Sequence, residues 1–147
     1  MRFDSGADPG RYVAVLVVVA AAYYVVGRIG LELAYLDGAV AALWPPAGFG
    51  LAVLFLYGVR LWPAVVVGDL LLGDYSTPLG TVLAQTAGNT LAVVAGALLL
   101  RRLTSGRGDL ERVADVLSLV TCALVAATVS AAFGPLALRL GGVIPAD

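Results

Sequence analysis

Residues 42–50 read ALWPPAGFG and interrupt an otherwise apolar chain with two adjacent prolines and two glycines. Proline has no backbone N–H and its ring clashes with the preceding turn, so Pro45 and Pro46 cannot both lie inside a regular helix. They fit the first turn of one, with Leu43 and Trp44 held extended ahead of them. Two readings of Trp44-Pro45-Pro46-Ala47-Gly48 stay open. One is a plain helix start with Trp44 as an interfacial anchor. The other is a broken segment lining a cavity, because irregular backbone at membrane depth is tolerated only against protein or water.

Composition sets the environment of that break. The 147 residues are 61% hydrophobic and 13% charged, and the mean hydropathy is +0.96. Soluble domains carry about 25% charged residues, so the chain is an integral membrane protein, with membrane lipid as its first partner. The net charge of -1 says little by itself, and no charge run points to nucleic acid. All the basic residues are arginine. Without lysine no Schiff-base cofactor such as retinal can attach. Without histidine, and with Cys122 alone, imidazole-bound metal or haem and an intrachain disulfide are excluded. No phosphate-cradling glycine motif is present and no nucleophile has a histidine base. The expectation is a non-catalytic protein with no cofactor and no metal.

Outward from the double proline, the hydropathy pattern predicts five apolar helices and no strands, an all-α polytopic bundle. The first covers about 12–36, the second runs from Pro46 to near Tyr57, and the third covers about 60–73. The fourth covers about 79–103, and the fifth runs from Asp109 to about 140 with a kink at Gly134-Pro135. The second and third are short for a bilayer, so their ends are expected to lie in protein rather than lipid. Arg2 and Arg11 ahead of an apolar run resemble a secretory signal, but Asp4, Asp8 and the lack of a convincing cleavage site in AAAYYVVGR argue for a retained first helix. The organisation read from this is a short cytoplasmic segment at 1–10, a transmembrane domain over 11–141 and a tail over 142–147.

Arginine placement orients the bundle. Arg2 and Arg11 precede the first helix, Arg60 lies between the second and third, and Arg101, Arg102, Arg107 and Arg112 surround the fourth connection. The connections at 37–43 and 74–78 hold Asp37 and Asp74 but no basic residue. By the positive-inside rule the N-terminus is cytoplasmic in a multi-pass inner-membrane protein, and only Arg139 runs weakly against the alternation. Five crossings then place residue 147 outside, where no cytoplasmic output domain can follow directly, so the chain reads as the first part of a larger membrane module. RRLTSGRGDLER, 101–112, reads as an ordinary cytoplasmic loop with acids suited to a helix start.

Three groups of residues invite a functional reading. Arg28 and Glu32 stand four apart and can pair on one helical face, a structural ion pair. Asp69 lies in the third helix, where a buried charge costs roughly 2.5–3.5 kcal/mol even on insertion scales and tends to mark function. On the fourth helix Gln85 and Asn89 share a face, beside a ridge of small residues at Ala84, Gly88, Ala92 and Gly96. The ridge suits close helix packing, and Gln85 and Asn89 suit either interhelical hydrogen bonding or a ligand. Three helices thus place Trp44, Asp69 and Asn89 at membrane depth, and one shared polar cavity would account for all three.

Taken together, YYVVGRIGLELA (23–34), LWPPAGFGLAVLFLYGVRLWPAVVVGDLLLG (43–73) and AGNTLAVVAGALLLRRL (87–103) resemble the first type of membrane-associated sensor domain, the MASE family of bacterial signalling proteins. The ordered set of WPPAG, G-x-R-L-W-P and A-G-N-T carries the resemblance, which covers about residues 11–141. It implies a multi-helix sensory input, usually about twice this length, that receives an unidentified small molecule or membrane state. It also implies a histidine kinase or diguanylate cyclase output as partner. The alternative is a small transporter or its substrate-binding component, in which broken helices and midplane charge form the transport site. On either reading the candidate ligand-facing residues are Trp44, Pro45, Pro46, Asp69, Gln85 and Asn89.

The arginine alternation generates a direct expectation. A single cysteine at position 76, in a chain whose Cys122 is replaced, should react with a membrane-impermeant maleimide from outside intact cells, and one at position 105 only after permeabilisation.

Overall fold

The computed structural model describes residues 8–36, 44–104 and 113–140, and these are all helix and short turns. Helix α1 spans Pro9–Leu36, α2 Pro45–Tyr57, α3 Trp62–Leu72, α4 Leu79–Leu103 and α5 Val113–Leu140. A single 3-10 turn, Val59–Leu61, joins α2 to α3. The prolines do what their chemistry dictates. Pro45 and Pro46 occupy the first two positions of α2 behind Trp44, so that helix starts one residue earlier than expected. Pro63 does the same for α3, which begins at Trp62 because the three residues before it are wound in the tighter turn. α1 begins three residues before its expected start and α4 matches its expected bounds. α5 stays helical through Gly134-Pro135. Arg2, Asp37, Arg107, Asp109 and Arg112 lie outside the described residues.

α1 packs on α2 and α3, and α4 packs on the same two helices. The four therefore close a ring in the order α1, α2, α4, α3, and α5 lies outside it against α4. Close approaches fix the directions. The Tyr12 hydroxyl, near the start of α1, donates to the Arg60 carbonyl at 2.7 Å, while Gly30, near its end, abuts Pro45. α2 is thus antiparallel to α1. Gly27 abuts Leu72 and Gly68 abuts Ala20, so α3 returns parallel to α1. Gly73 faces Val82 whereas Gly96 faces Leu51, so α4 runs back beside α2. Up-and-down order puts Arg11, Arg60, Arg101 and Arg102 at one end of the bundle and Asp74 at the other.

Lengths distinguish the helices. α4, with 25 residues, and the stretch Pro9–Glu32 of α1, with 24, are long and apolar enough to cross a membrane. α2 and α3, with 13 and 11 residues, reach only about 20 and 17 Å at 1.5 Å per residue, short of a hydrocarbon core of about 30 Å. They form an open helix–turn–helix unit whose two helices take opposite corners of the ring, between α1 and α4. Its turn depends on Gly58 at φ 121° and ψ 143°, a conformation essentially restricted to glycine. Arg101 secures the end of α2, donating from Nε and Nη2 to the Phe55 carbonyl at 3.2 and 3.0 Å.

The interior is built around Tyr23, which is fully buried with Leu54, Leu61, Val65, Val93, Ala97, Leu100 and Cys122. The outward faces are apolar as well: Val17, Val18 and Val25 on α1, Leu91 and Leu98 on α4, and Leu117 and Leu124 on α5 are all exposed. A surface of that kind is stable against lipid. Small residues let the ring close. A Cβ on Gly68 would sit 2.8 and 2.9 Å from Tyr23 side-chain carbons and 3.0 Å from the Ala20 carbonyl oxygen. Gly88, Ala92 and Gly96 are all buried on α4, and a Cβ on Gly96 would lie 2.9 Å from a Leu51 methyl.

Gly68→Ala should therefore destabilise the protein by about 1–3 kcal/mol, since a backbone oxygen cannot move aside. Gly48→Ala, where nothing lies within 4 Å of the added carbon, should leave stability unchanged or slightly raised. Thermal unfolding of the two variants in detergent checks the contrast.

Candidate functional site

At the middle of the ring a carboxyl group is held by side chains from two other helices. Asp69, on α3, is 5% exposed. Tyr23 of α1 donates its hydroxyl to Asp69 Oδ1 at 3.1 Å. Asn89 of α4 donates its amide to the same oxygen at 3.1 Å and to Oδ2 at 3.4 Å. Oδ1 therefore takes two good hydrogen bonds, and Oδ2 one long one. Both partners are neutral donors.

Local sequence explains why these three groups meet. Gly68 lets α3 approach α1 closely at the turn that carries Asp69, and Gly50 opens α2 on the other side of the same tyrosine. A Cβ on Gly50 would lie 3.3 Å from the Tyr23 ring and 3.1 Å from Val93. Phe49 closes the aromatic face, edge to ring, with centroids 6.4 Å apart at 64°. On α4, Gly88 beside Asn89 is buried and keeps that helix near its neighbours.

Trp44 sits at the same place from α2. Its indole Nε1 is buried and makes no hydrogen bond, and the indole lies close to the Tyr23 hydroxyl. A short chain of polar groups thus leads from Trp44 through Tyr23 to Asp69. The Thr81 and Thr90 hydroxyls of α4 are also buried without a partner, unusual for polar groups in a packed interior.

Among the residues singled out by sequence, Asp69 and Asn89 are in contact, and Trp44 reaches them through Tyr23. Pro46 is fully buried and Pro45 half-buried against Gly30. Gln85, one turn before Asn89, is half-buried and is not a partner of Asp69. Arg28 and Glu32 pair at 3.6 Å, but their side chains are 55% and 70% exposed, outside the ring and away from Asp69. An exposed pair of this kind contributes about 0–1 kcal/mol. Tyr23 was missed by the sequence reading. A tyrosine in an apolar run looks like an interfacial anchor, and the available signal was its helical phase with Gly27 and Gly30, which puts all three on the face that meets α2 and α3.

The family model MASE1 matches residues 15–147, so the chain belongs to the MASE1 family, membrane-associated sensory domains of bacterial signalling proteins. No curated protein and no solved structure gives a match. The family assignment agrees with the all-helical fold and its apolar surface.

Because Tyr23 and Asn89 share one acceptor oxygen, their contributions should not add. Tyr23→Phe and Asn89→Ala are each expected to cost about 1–3 kcal/mol, and the double variant to deviate from the sum by at least about 0.5 kcal/mol. A double-mutant cycle on unfolding in detergent measures the deviation.

Proposed function

We propose that this chain is a multi-pass sensory input of the bacterial inner membrane, with its arginine-bearing end in the cytoplasm, and that the Asp69 junction is where the stimulus registers. Trp44, Pro45, Pro46, Gln85 and Asn89 form the surroundings of that site, which receives a small ligand or a change of membrane state. The observation that carries this reading is a buried carboxyl on α3 held simultaneously by α1 and α4. Intramembrane ionisable groups are expensive, and one that joins three helices couples its own bonding to their relative positions.

The route outward is short. α4 carries Asn89 at the junction and, about three turns further on, Arg101 at the basic end, where it grips the Phe55 carbonyl at the end of α2. A shift of α4 that changes the Asn89 contact moves the group that fixes the α2–α3 turn. A kinase or diguanylate cyclase output, covalently attached or separate, would read that movement. No chemistry is required of the domain itself.

The full gene product in its native host provides the test. Asp69→Asn should insert at wild-type level and change phosphotransfer or cyclic dinucleotide output several-fold, and Arg28→Gln should leave both alone. Output indistinguishable from wild type in folded, inserted Asp69→Asn protein would remove the reading.

A further inference from the structure

We infer that the Asp69 junction is a binding site for a small inorganic cation from solution, proton or monovalent metal ion, which neutralises a carboxylate that no basic side chain among the described residues pairs with; this rests on the sensory reading of the same site. Among the described residues, the groups that bond the carboxyl are uncharged. α1 contributes the Tyr23 hydroxyl, α4 the Asn89 amide, and α2 the Trp44 indole behind Tyr23. The ion pair of Arg28 with Glu32 lies on the outer surface. Arg101 is committed to the Phe55 carbonyl at the basic end. Hydrogen bonds from neutral donors spread a buried negative charge but do not cancel it, and a buried charge is ordinarily paired.

The bonding also shows where the cation acts. Oδ1 is saturated by two donors at 3.1 Å, whereas Oδ2 has only the 3.4 Å contact from Asn89. Oδ2 is the oxygen with bonding capacity left for a further partner. The glycine-lined packing around Tyr23 favours an ion over a bulky organic ligand. A cation on Oδ2 displaces the second, 3.4 Å contact of the Asn89 amide, which leaves α4 joined to α3 through Oδ1 alone while Tyr23 keeps α1 attached. The site therefore reports its occupancy as a change between two helices.

Trp44 supplies a probe, because the only other tryptophan, Trp62, is exposed and outside the junction. In the full chain carrying Trp62→Phe, purified in detergent, Trp44 emission is followed in two arms. One varies pH with N-methylglucamine as the sole salt cation. The other replaces N-methylglucamine by sodium or potassium at fixed pH and ionic strength. A saturable change is expected in at least one arm, and the arm that responds names the ion. The change should vanish in Asp69→Asn and persist in Asp74→Asn, whose carboxyl lies in the exposed turn before α4. Tyr23→Phe, which removes one donor from Oδ1 and keeps the ring, should lower the half-saturating cation concentration several-fold and serves if Asp69→Asn does not fold. An unchanged response in Asp69→Asn, an unmoved midpoint in Tyr23→Phe, or flat emission in both arms would overturn the cation site. Flat emission with Asp69-dependent output leaves the sensory reading standing; saturable emission with Asp69-independent output removes the sensory reading alone.

Discussion

The Tyr23 side chain is the constraint on which the rest of the bundle depends. Its ring occupies the centre of a four-helix ring, between Gly50 on α2 and Gly68 on α3, with Phe49 against its edge. Its hydroxyl ends on the Asp69 carboxyl. A large aromatic group can be buried there only because its neighbours carry no Cβ, and its polar tip can be buried only because a carboxyl accepts from it. Packing and polarity are thus solved by the same side chain.

Two short helices within a membrane bundle follow from that arrangement. α2 and α3 are too short to cross a bilayer singly, and their ends leave backbone groups that lipid cannot satisfy. The fold meets this with specific contacts. The Pro45-Pro46 pair removes backbone donors at one end, and Arg101 caps the other by binding the Phe55 carbonyl. The Tyr12 hydroxyl takes the Arg60 carbonyl at the turn, and the Tyr75 hydroxyl takes the Leu70 carbonyl at the end of α3. The arginines at the basic end of the bundle therefore also serve the fold, since one of them satisfies helix-end backbone.

The same economy bears on signalling. Helices held in lipid by small-residue contacts slide at low cost, whereas polar contacts define discrete positions. In this bundle the polar contacts lie at two levels, the Asp69 junction and the Arg101 clasp, and α4 carries a residue of each. Membership of MASE1, a family of sensory domains, gives such an arrangement a use: a sensory domain needs a small set of alternative bonds.

Sequence alone determined the environment, the helices and the end at which the arginines lie. Hydropathy sums over many residues, proline excludes backbone geometries outright, and arginine is kept to the ends by its charge, so none of these depends on knowing which helices touch. The bounds of α4 and the start of α2 were legible for that reason, as were Asp69 and Asn89 as misplaced polar groups. Tertiary structure decided what those groups meet. Helix rotation is set by contacts between distant residues, and a three-residue turn, hinged on a glycine at positive φ, fixes where α3 returns. That is why Tyr23, unremarkable in an apolar run, became the partner of Asp69, and why Gln85, in phase with Asn89, did not.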